Sequence, residues 1–168
     1  QYYEFMLEEY QDKRHINLNN LMDLFDEMAY EGHWRETLEF IAHAYKENSS
    51  VRSAMEGERN IQGFLTAYLS VNAYYLMAPE MELSHGYCDL FLMPDLMRYE
   101  VKHSYILELK YLSVKDTDEK TRTQWQEAVK QINEYAAAPR VRQLVQNTKL
   151  HCIIIQFRGW ELERMEEV

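Results

Sequence analysis

Apolar residues recur at helical spacing through the first third of the chain, after which the period changes to that of strands. Two amphipathic stripes lie within residues 1–47, on either side of Gly32, and a third runs from about Ser53 to Val71. The first two stripes predict an antiparallel helix pair. Asn48-Ser49-Ser50 interrupts the pattern at a point where it can cap the next helix.

Beyond Tyr74 the sequence predicts strands joined by short connections, which is typical of an antiparallel meander. Pro79 indicates that the first strand is an edge strand or a bent one, because proline cannot donate to a strand ladder. A long helix ended by Pro139, a short helix, a β-branched strand and an edge strand follow. The predicted strands cover residues 75–83, 87–93, 104–112, 150–157 and 160–163, and the predicted helices cover residues 118–137 and 141–145.

The resulting order, α-β-β-β-α-β, predicts an α/β fold with a mixed central sheet flanked by helices. Residues 1–50 are predicted to be a helical extension that packs on a core formed by residues 51–168. The length of 168 residues is enough for one domain with a sizeable core. No internal repeat or low-complexity segment interrupts this arrangement.

Composition narrows the class of protein. The net charge of -10 argues against a protein that coats nucleic acid through bulk positive charge, although a local basic groove remains compatible with it. No apolar run is long enough to span a membrane and no signal peptide is visible, so a cytoplasmic location without membrane contact is expected. Cys88 and Cys152 lie in apolar runs and are predicted to be buried free thiols, which suits a reducing compartment.

Charged residues on the central strands are the main anomaly in the pattern. In the strand over residues 104–112, Glu108 and Lys110 share one face, because side chains alternate along a strand. That strand is apolar enough to be buried on both faces, where an uncompensated charge costs several kcal/mol. The preceding strand repeats the anomaly, with Asp89 as the one acid in an apolar run.

If the two strands pair, Asp89 and Glu108 converge, and two adjacent carboxylates repel unless a proton or a cation lies between them. Mg²⁺ is a cation that suits such oxygen ligands. The plainer interpretation is an ordinary ion pair between Glu108 and Lys110, since an acid-x-Lys triplet alone is a weak pattern. The acid on one strand, Glu-x-Lys on the next and the α-β-β-β-α-β order together make a stronger one.

Two stretches, Gly86-Tyr87-Cys88-Asp89-Leu90 and Tyr105-Ile106-Leu107-Glu108-Leu109-Lys110-Tyr111, resemble the signature of the PD-(D/E)XK nuclease superfamily. More narrowly, the chain is similar to the nuclease-like domain at the C-terminal end of bacterial proteins that begin with an AAA-type ATPase domain. The residues 57–64 and 127–135 support the resemblance, which covers about residues 55–168; residues 1–50 fit the helical stretch between ATPase and nuclease. Cys88 stands where the proline of the signature would be.

The resemblance implies a restriction-endonuclease-like fold and Mg²⁺-dependent hydrolysis of phosphodiester bonds, with Mn²⁺ as a possible substitute. Asp89, Glu108 and the backbone carbonyl of Leu109 would hold the metal, and Lys110 would position the attacking water or stabilise charge on the phosphate. Glu58 corresponds to a helix acid that family members direct toward the site. For Glu58 the alternative is a first-turn acid favoured by the helix dipole.

Gln131 corresponds to a glutamine expected to orient Lys110 or contact substrate, with packing as the alternative. Other polar residues are weaker candidates: Tyr135 is expected to pack, and at least one of Glu80 and Glu82 is expected to be exposed. The cations in the loop and helix start after the signature strand are better explained by a solvated surface than by a groove, and isolated histidines are not expected to be ligands. These residues are Lys115, Lys120, Arg122, His33 and His43.

Two functions of different classes follow. The first is a metal-dependent nuclease, with DNA as the expected substrate, that forms part of an ATPase-linked protein. The alternative is a catalytically idle nuclease fold that binds nucleic acid or regulates the attached ATPase, which the acidic charge favours. A small-molecule phosphodiesterase has no sequence feature of its own, and no Walker-type glycine-rich loop is present in the sequence.

Overall fold

The computed structural model describes residues 18–48, 58–83 and 86–168. The order of elements along the chain agrees with the predicted order. The helices are α1 (Leu18–Asp26), one π-helical turn (Glu27–Glu31), α2 (Arg35–Glu47), α3 (Glu58–Leu69), α4 (Asp118–Ala137) and α5 (Pro139–Val145). The strands are β1 (Tyr75–Leu83), β2 (Gly86–Pro94), β3 (His103–Leu112), β4 (Lys149–Arg158) and β5 (Glu161–Glu167).

The strands form one five-stranded sheet in the order β1-β2-β3-β4-β5. β1, β2 and β3 form the predicted antiparallel meander, β3 and β4 run parallel, and β4 and β5 run antiparallel. The sheet is therefore mixed, and the predicted fold class is confirmed. Pro79 lies in the edge strand β1, where the missing N–H interrupts the least pairing.

Two apolar clusters cover the two faces of the sheet. Leu107 of β3 packs in the larger cluster, which includes side chains of α1, α2 and α3. Ile106 of β3 packs in the smaller one, which includes side chains of α4 and α5. Because β3 is buried on both sides, a charged side chain within it must have a specific partner.

Local capping accounts for several helix boundaries. The Thr117 side chain accepts from the backbone N–H of Lys120 and begins α4, and Pro139 is the first residue of α5, where its missing N–H costs nothing. Asn48 was expected to help cap the helix that follows. Its side chain donates to the carbonyl of Ala44 at 2.7 Å and closes the end of α2, because those orphan carbonyls lie within its reach. The start of the next helix as predicted lies outside the described residues, so the cap on it stays a prediction.

Several sequence expectations fall outside the described residues. These include the predicted helix over residues 1–17, the cap at residues 49–50 and the predicted helix start at residue 53.

The Thr37 hydroxyl donates to the carbonyl of Leu24 at 3.2 Å, so α1 and α2 are in contact. Both helices share the larger apolar cluster with the sheet, while a boundary at residue 50 stays a prediction.

Cys152 is a free, buried thiol whose pKa is raised to about 11, chiefly by burial and also by Glu167, as the apolar run predicted. The side chain of Cys88 lies outside the described residues. None of the described helices combines the length and the apolar character needed to cross a bilayer.

A histidine pair joins the beginnings of β3 and β4, whereas Glu108 lies in the middle of β3. His103 and His151 share a hydrogen bond of 2.7 Å between Nδ1 and Nε2, and His151 also pairs with Glu167. Gly32 has a φ of +74°, and an added Cβ would lie 2.7 Å from the His103 ring, so the turn before α2 needs glycine for both reasons.

We expect acidification to destabilise the protein through His103. Desolvation, helped by His151 and Lys149, lowers the pKa of His103 below its ordinary value of 6.5, although Glu31 and Glu167 oppose the shift. The unfolded chain therefore binds more protons in this range, so stability is present above pH 6.5 and is lost as pH falls below it.

The measurement is the urea midpoint at several pH values for wild type and His103→Gln. The variant should lose part of the fall in stability below pH 6.5. His43→Gln, at an exposed position on α2, is the matched control and should keep the wild-type dependence. An identical pH dependence in all three proteins would contradict the assignment.

Candidate active site

The pairing between β2 and β3 stops beside the acidic residues. The last recorded pair is Leu90 with Leu107, and one further step would set Asp89 opposite Glu108. By strand alternation, Asp89 lies on the same face as Phe91, and Glu108 lies on the same face as Ile106. Since Phe91 and Ile106 belong to the same apolar cluster, the two acids share that face of the sheet.

Beyond the last backbone pair, the Asp89 side chain of β2 forms a hydrogen bond to β3. Its Oδ2 accepts a hydrogen bond of 2.8 Å from the backbone N–H of Leu109. The carbonyl of Asp89 accepts from Nε2 of Gln62 at 3.3 Å, so α3 also reaches this position. The N–H and C=O of one strand residue point toward the same neighbour, and the Leu109 carbonyl therefore also faces β2.

Glu108 and Lys110 form the charged centre of the site. The Glu108 side chain is 3% exposed, the Lys110 side chain is 18% exposed, and Oε1 and Nζ are 3.2 Å apart. Lys110 Nζ also donates to Oε1 of Gln131 on α4 at 2.9 Å. The ion pair of the plainer interpretation is thus present, and the geometry adds an amide that holds the lysine in a fixed direction.

The donor set suits a hard divalent cation. Two carboxylates and a backbone carbonyl supply only oxygen, which Mg²⁺ and Mn²⁺ prefer, and Mg²⁺ commonly keeps several waters beside one or two carboxylates. Within residues 18–48, 58–83 and 86–168, no group of three or more His, Cys, Asp or Glu side chains is arranged to hold a metal. Asp89 and Glu108 would accordingly need water or one more acid to complete a shell.

Glu58 is the sequence candidate for that further acid. It is the first residue of α3, and Gln62, one turn later on the same helix face, reaches the backbone at Asp89. The placement of the Glu58 side chain lies outside what the structure describes. The Gln62 contact shows that the first turns of α3 lie near Asp89.

The weaker candidates have other surroundings. Tyr135 is buried in the smaller apolar cluster, which agrees with packing. Lys120 is paired with Asp116 at 2.8 Å, and Lys115 and Arg122 are exposed. His33 and His43 are exposed and each lies beside a glutamate. The side chains of Glu80 and Glu82 are outside the described residues.

Sequence reasoning missed two glutamines next to the site. Gln156 is fully buried on β4 and is the register partner of Lys110. It donates to Oε1 of Gln124 on α4 at 2.9 Å, and Gln124 donates to the carbonyl of Tyr111 at 3.0 Å. The signal was available, because Gln156 interrupts the apolar run of residues 152–157 as Glu108 interrupts β3.

A mixed sheet with an Asp and a Glu-x-Lys triplet on adjoining strands defines a nuclease-type hydrolase. The family model of the PD-(D/E)XK nuclease superfamily matches residues 56–167, two thirds of the chain, and the chain belongs to that superfamily. Comparison with curated proteins and with solved structures gave no match. The superfamily predicted from the sequence is confirmed, and its nucleases generally use divalent metal ions.

Replacing Asp89 with asparagine separates a catalytic role from a structural one. An asparagine oxygen can still accept from the Leu109 N–H, while one negative charge beside Glu108 is removed. We expect Asp89→Asn to abolish metal-dependent cleavage and to leave the metal-free protein equally stable or more stable by about 0–2 kcal/mol.

Thermal melts of both proteins in chelator measure this difference. Asp89→Ala is the matched comparison, because it also removes the acceptor and should cost about 1 kcal/mol through the lost hydrogen bond. A melting temperature several degrees lower for Asp89→Asn than for wild type would assign Asp89 to a structural ion pair and not to metal binding.

Proposed function

We propose that this protein is a metal-dependent nuclease that hydrolyses phosphodiester bonds of DNA. The observation that carries the proposal is the arrangement of Lys110, which is held between Glu108 and Gln131 at the point where Asp89 meets β3. A structural ion pair between Glu108 and Lys110 does not require a second acid on the neighbouring strand. A divalent-metal site with oxygen ligands uses such an acid.

In this proposal Asp89, Glu108 and the Leu109 carbonyl hold Mg²⁺, and Mn²⁺ serves as a substitute. Glu58 adds a carboxylate or anchors a water. When bound, the cation polarises the scissile phosphodiester and lowers the pKa of water in its shell. Burial of Glu108 keeps its carboxylate fixed and poorly hydrated, which strengthens its attraction for a cation.

Lys110 supplies the positive group that faces the substrate. Its ammonium has three N–H donors, and within the described residues Glu108 and Gln131 accept from two directions. These two contacts orient the ammonium, so that in this proposal the third N–H donates to a phosphate oxygen or to the attacking water. Partial exposure of the side chain gives substrate access while the stem remains among buried residues.

The biological setting is proposed from the sequence resemblance. A bacterial protein of the cytoplasm with an AAA-type ATPase domain on the N-terminal side would carry this nuclease as residues 51–168, with residues 1–50 as the helical connection. In support, α1 and α2 pack on the same apolar cluster as the sheet, so movement of an attached domain would be transmitted to it.

A second candidate is a catalytically idle module that regulates the attached ATPase or binds nucleic acid. The observation that favours it is the net charge of -10, which opposes tight binding to a polyanion by this chain alone. Of the cations nearest the signature in sequence, Lys120 is paired with Asp116.

Cleavage assays on plasmid, linear duplex and single-stranded DNA, and on RNA, with Mg²⁺ or Mn²⁺ decide between the candidates. We expect Lys110→Met and Glu108→Gln to lower the metal-dependent rate at least about 100-fold, because each removes a group that acts on the reacting phosphate or its cation. Lys130→Met, an exposed lysine on α4, is the matched control and should retain activity.

Activity that survives Lys110→Met unchanged would point to a contaminating nuclease and would contradict the proposal. Wild-type protein that binds the metal but cleaves none of these substrates would favour the idle module. Cleavage of RNA alone would retain the site and correct the substrate.

A further inference from the structure

A buried amide, Gln156, and a half-buried one, Gln124, lie beside the lysine of the proposed site. Gln156 of β4 is fully buried, and its Nε2 donates to Oε1 of Gln124 at 2.9 Å and to the carbonyl of Thr121 at 3.0 Å. Gln124 in turn donates to the carbonyl of Tyr111, the residue that follows Lys110 in β3. The Gln124 amide therefore contacts both parallel strands: its Oε1 accepts from Gln156 of β4, and its Nε2 donates to the Tyr111 carbonyl of β3.

Burial of the Gln156 amide contributes little or nothing to the stability of the fold. A buried amide loses its hydration, and its hydrogen bonds return a net of only about 1 kcal/mol each, so an apolar residue of the same size would serve stability as well. Directed hydrogen bonds differ from apolar contacts in that they fix distance and orientation. The other contacts of α4 with the sheet include apolar packing, as at Ala128 and Ile132, and hydrogen bonds that Arg158 of β4 donates to Asp118 and Thr121 near the helix start. The Gln124 contacts add a polar anchor about one helix turn further along.

The position of α4 matters because the same helix carries Gln131. Gln124 and Gln131 are two turns apart on one helix face, which corresponds to about 10 Å along the axis. Gln131 accepts from Lys110 at 2.9 Å, a contact that a small slide or rotation of α4 would break. Gln156 is the register partner of Lys110. The contact of Gln124 with Gln156 and the contact of Gln131 with Lys110 therefore join α4 to neighbouring residues of β4 and β3.

We propose that Gln156 and Gln124 are positioning residues that set α4 on the sheet so that Gln131 holds Lys110 in its working direction. The inference rests on the proposed nuclease function for its kinetic consequence, and on the contacts alone for its structural one. Neither glutamine touches substrate in this proposal. Their effect passes through Gln131.

A double-mutant cycle between Gln156→Met and Gln131→Ala tests this route. We expect Gln156→Met to lower kcat about 10-fold with KM unchanged, and to lower it less than two-fold further when Gln131 is already alanine. Gln126→Met, an exposed glutamine-to-methionine change on α4, is the matched control and should leave kcat unchanged. If Gln156→Met does not fold, Gln124→Met replaces it in the cycle with the same expectation.

Factors that multiply in the double variant, or an unchanged kcat in Gln156→Met, would overturn the inference while leaving the nuclease function intact. If wild type cleaves nothing, a second measurement still decides. The ammonium ¹H–¹⁵N signal of Lys110, assigned by its loss in Lys110→Met, should be visible at low temperature in wild type and in Gln126→Met and absent in Gln156→Met. A signal retained in Gln156→Met would refute the positioning role irrespective of activity.

Discussion

The burial of Glu108 within a strand that is covered on both faces is the constraint on which the site depends. A carboxylate there must be compensated, and the chain supplies Lys110 from the same strand face and Gln131 from α4 to hold that lysine. Asp89 adds a second acid where the β2–β3 ladder ends, using the Leu109 N–H that the ladder leaves open. In the proposed function, a bound cation balances the negative charges of Asp89 and Glu108, and a substrate phosphate balances the positive charge of Lys110.

Much of this arrangement could be predicted from the sequence because it follows from strand periodicity. Alternation put Glu108 and Lys110 on one face, and the short connection between the strands put Asp89 next to them, as the structure has them. Thr117 and Pro139 likewise marked the boundaries of α4 and α5 by local chemistry. These features depend on neighbours in the chain, which a single sequence displays directly.

The features that were missed depend on the crossover between β3 and β4. The contact of Gln124 and Gln156 joins residues 32 positions apart, and that of His103 and His151 joins residues 48 apart. No local period encodes such pairs, because they require the parallel register of two strands and the rotation of α4.

The crossover also has a consequence for the order in which the chain assembles. β1, β2 and β3 can pair as soon as they have been synthesised, since their connections are short. Gln131 and β4 come later, and the contact between Gln124 of α4 and Gln156 can form only when β4 has been made. A nascent chain therefore acquires both acids of the site before it acquires the anchor of its lysine. The proposed site is therefore completed only after α4 has packed on the sheet.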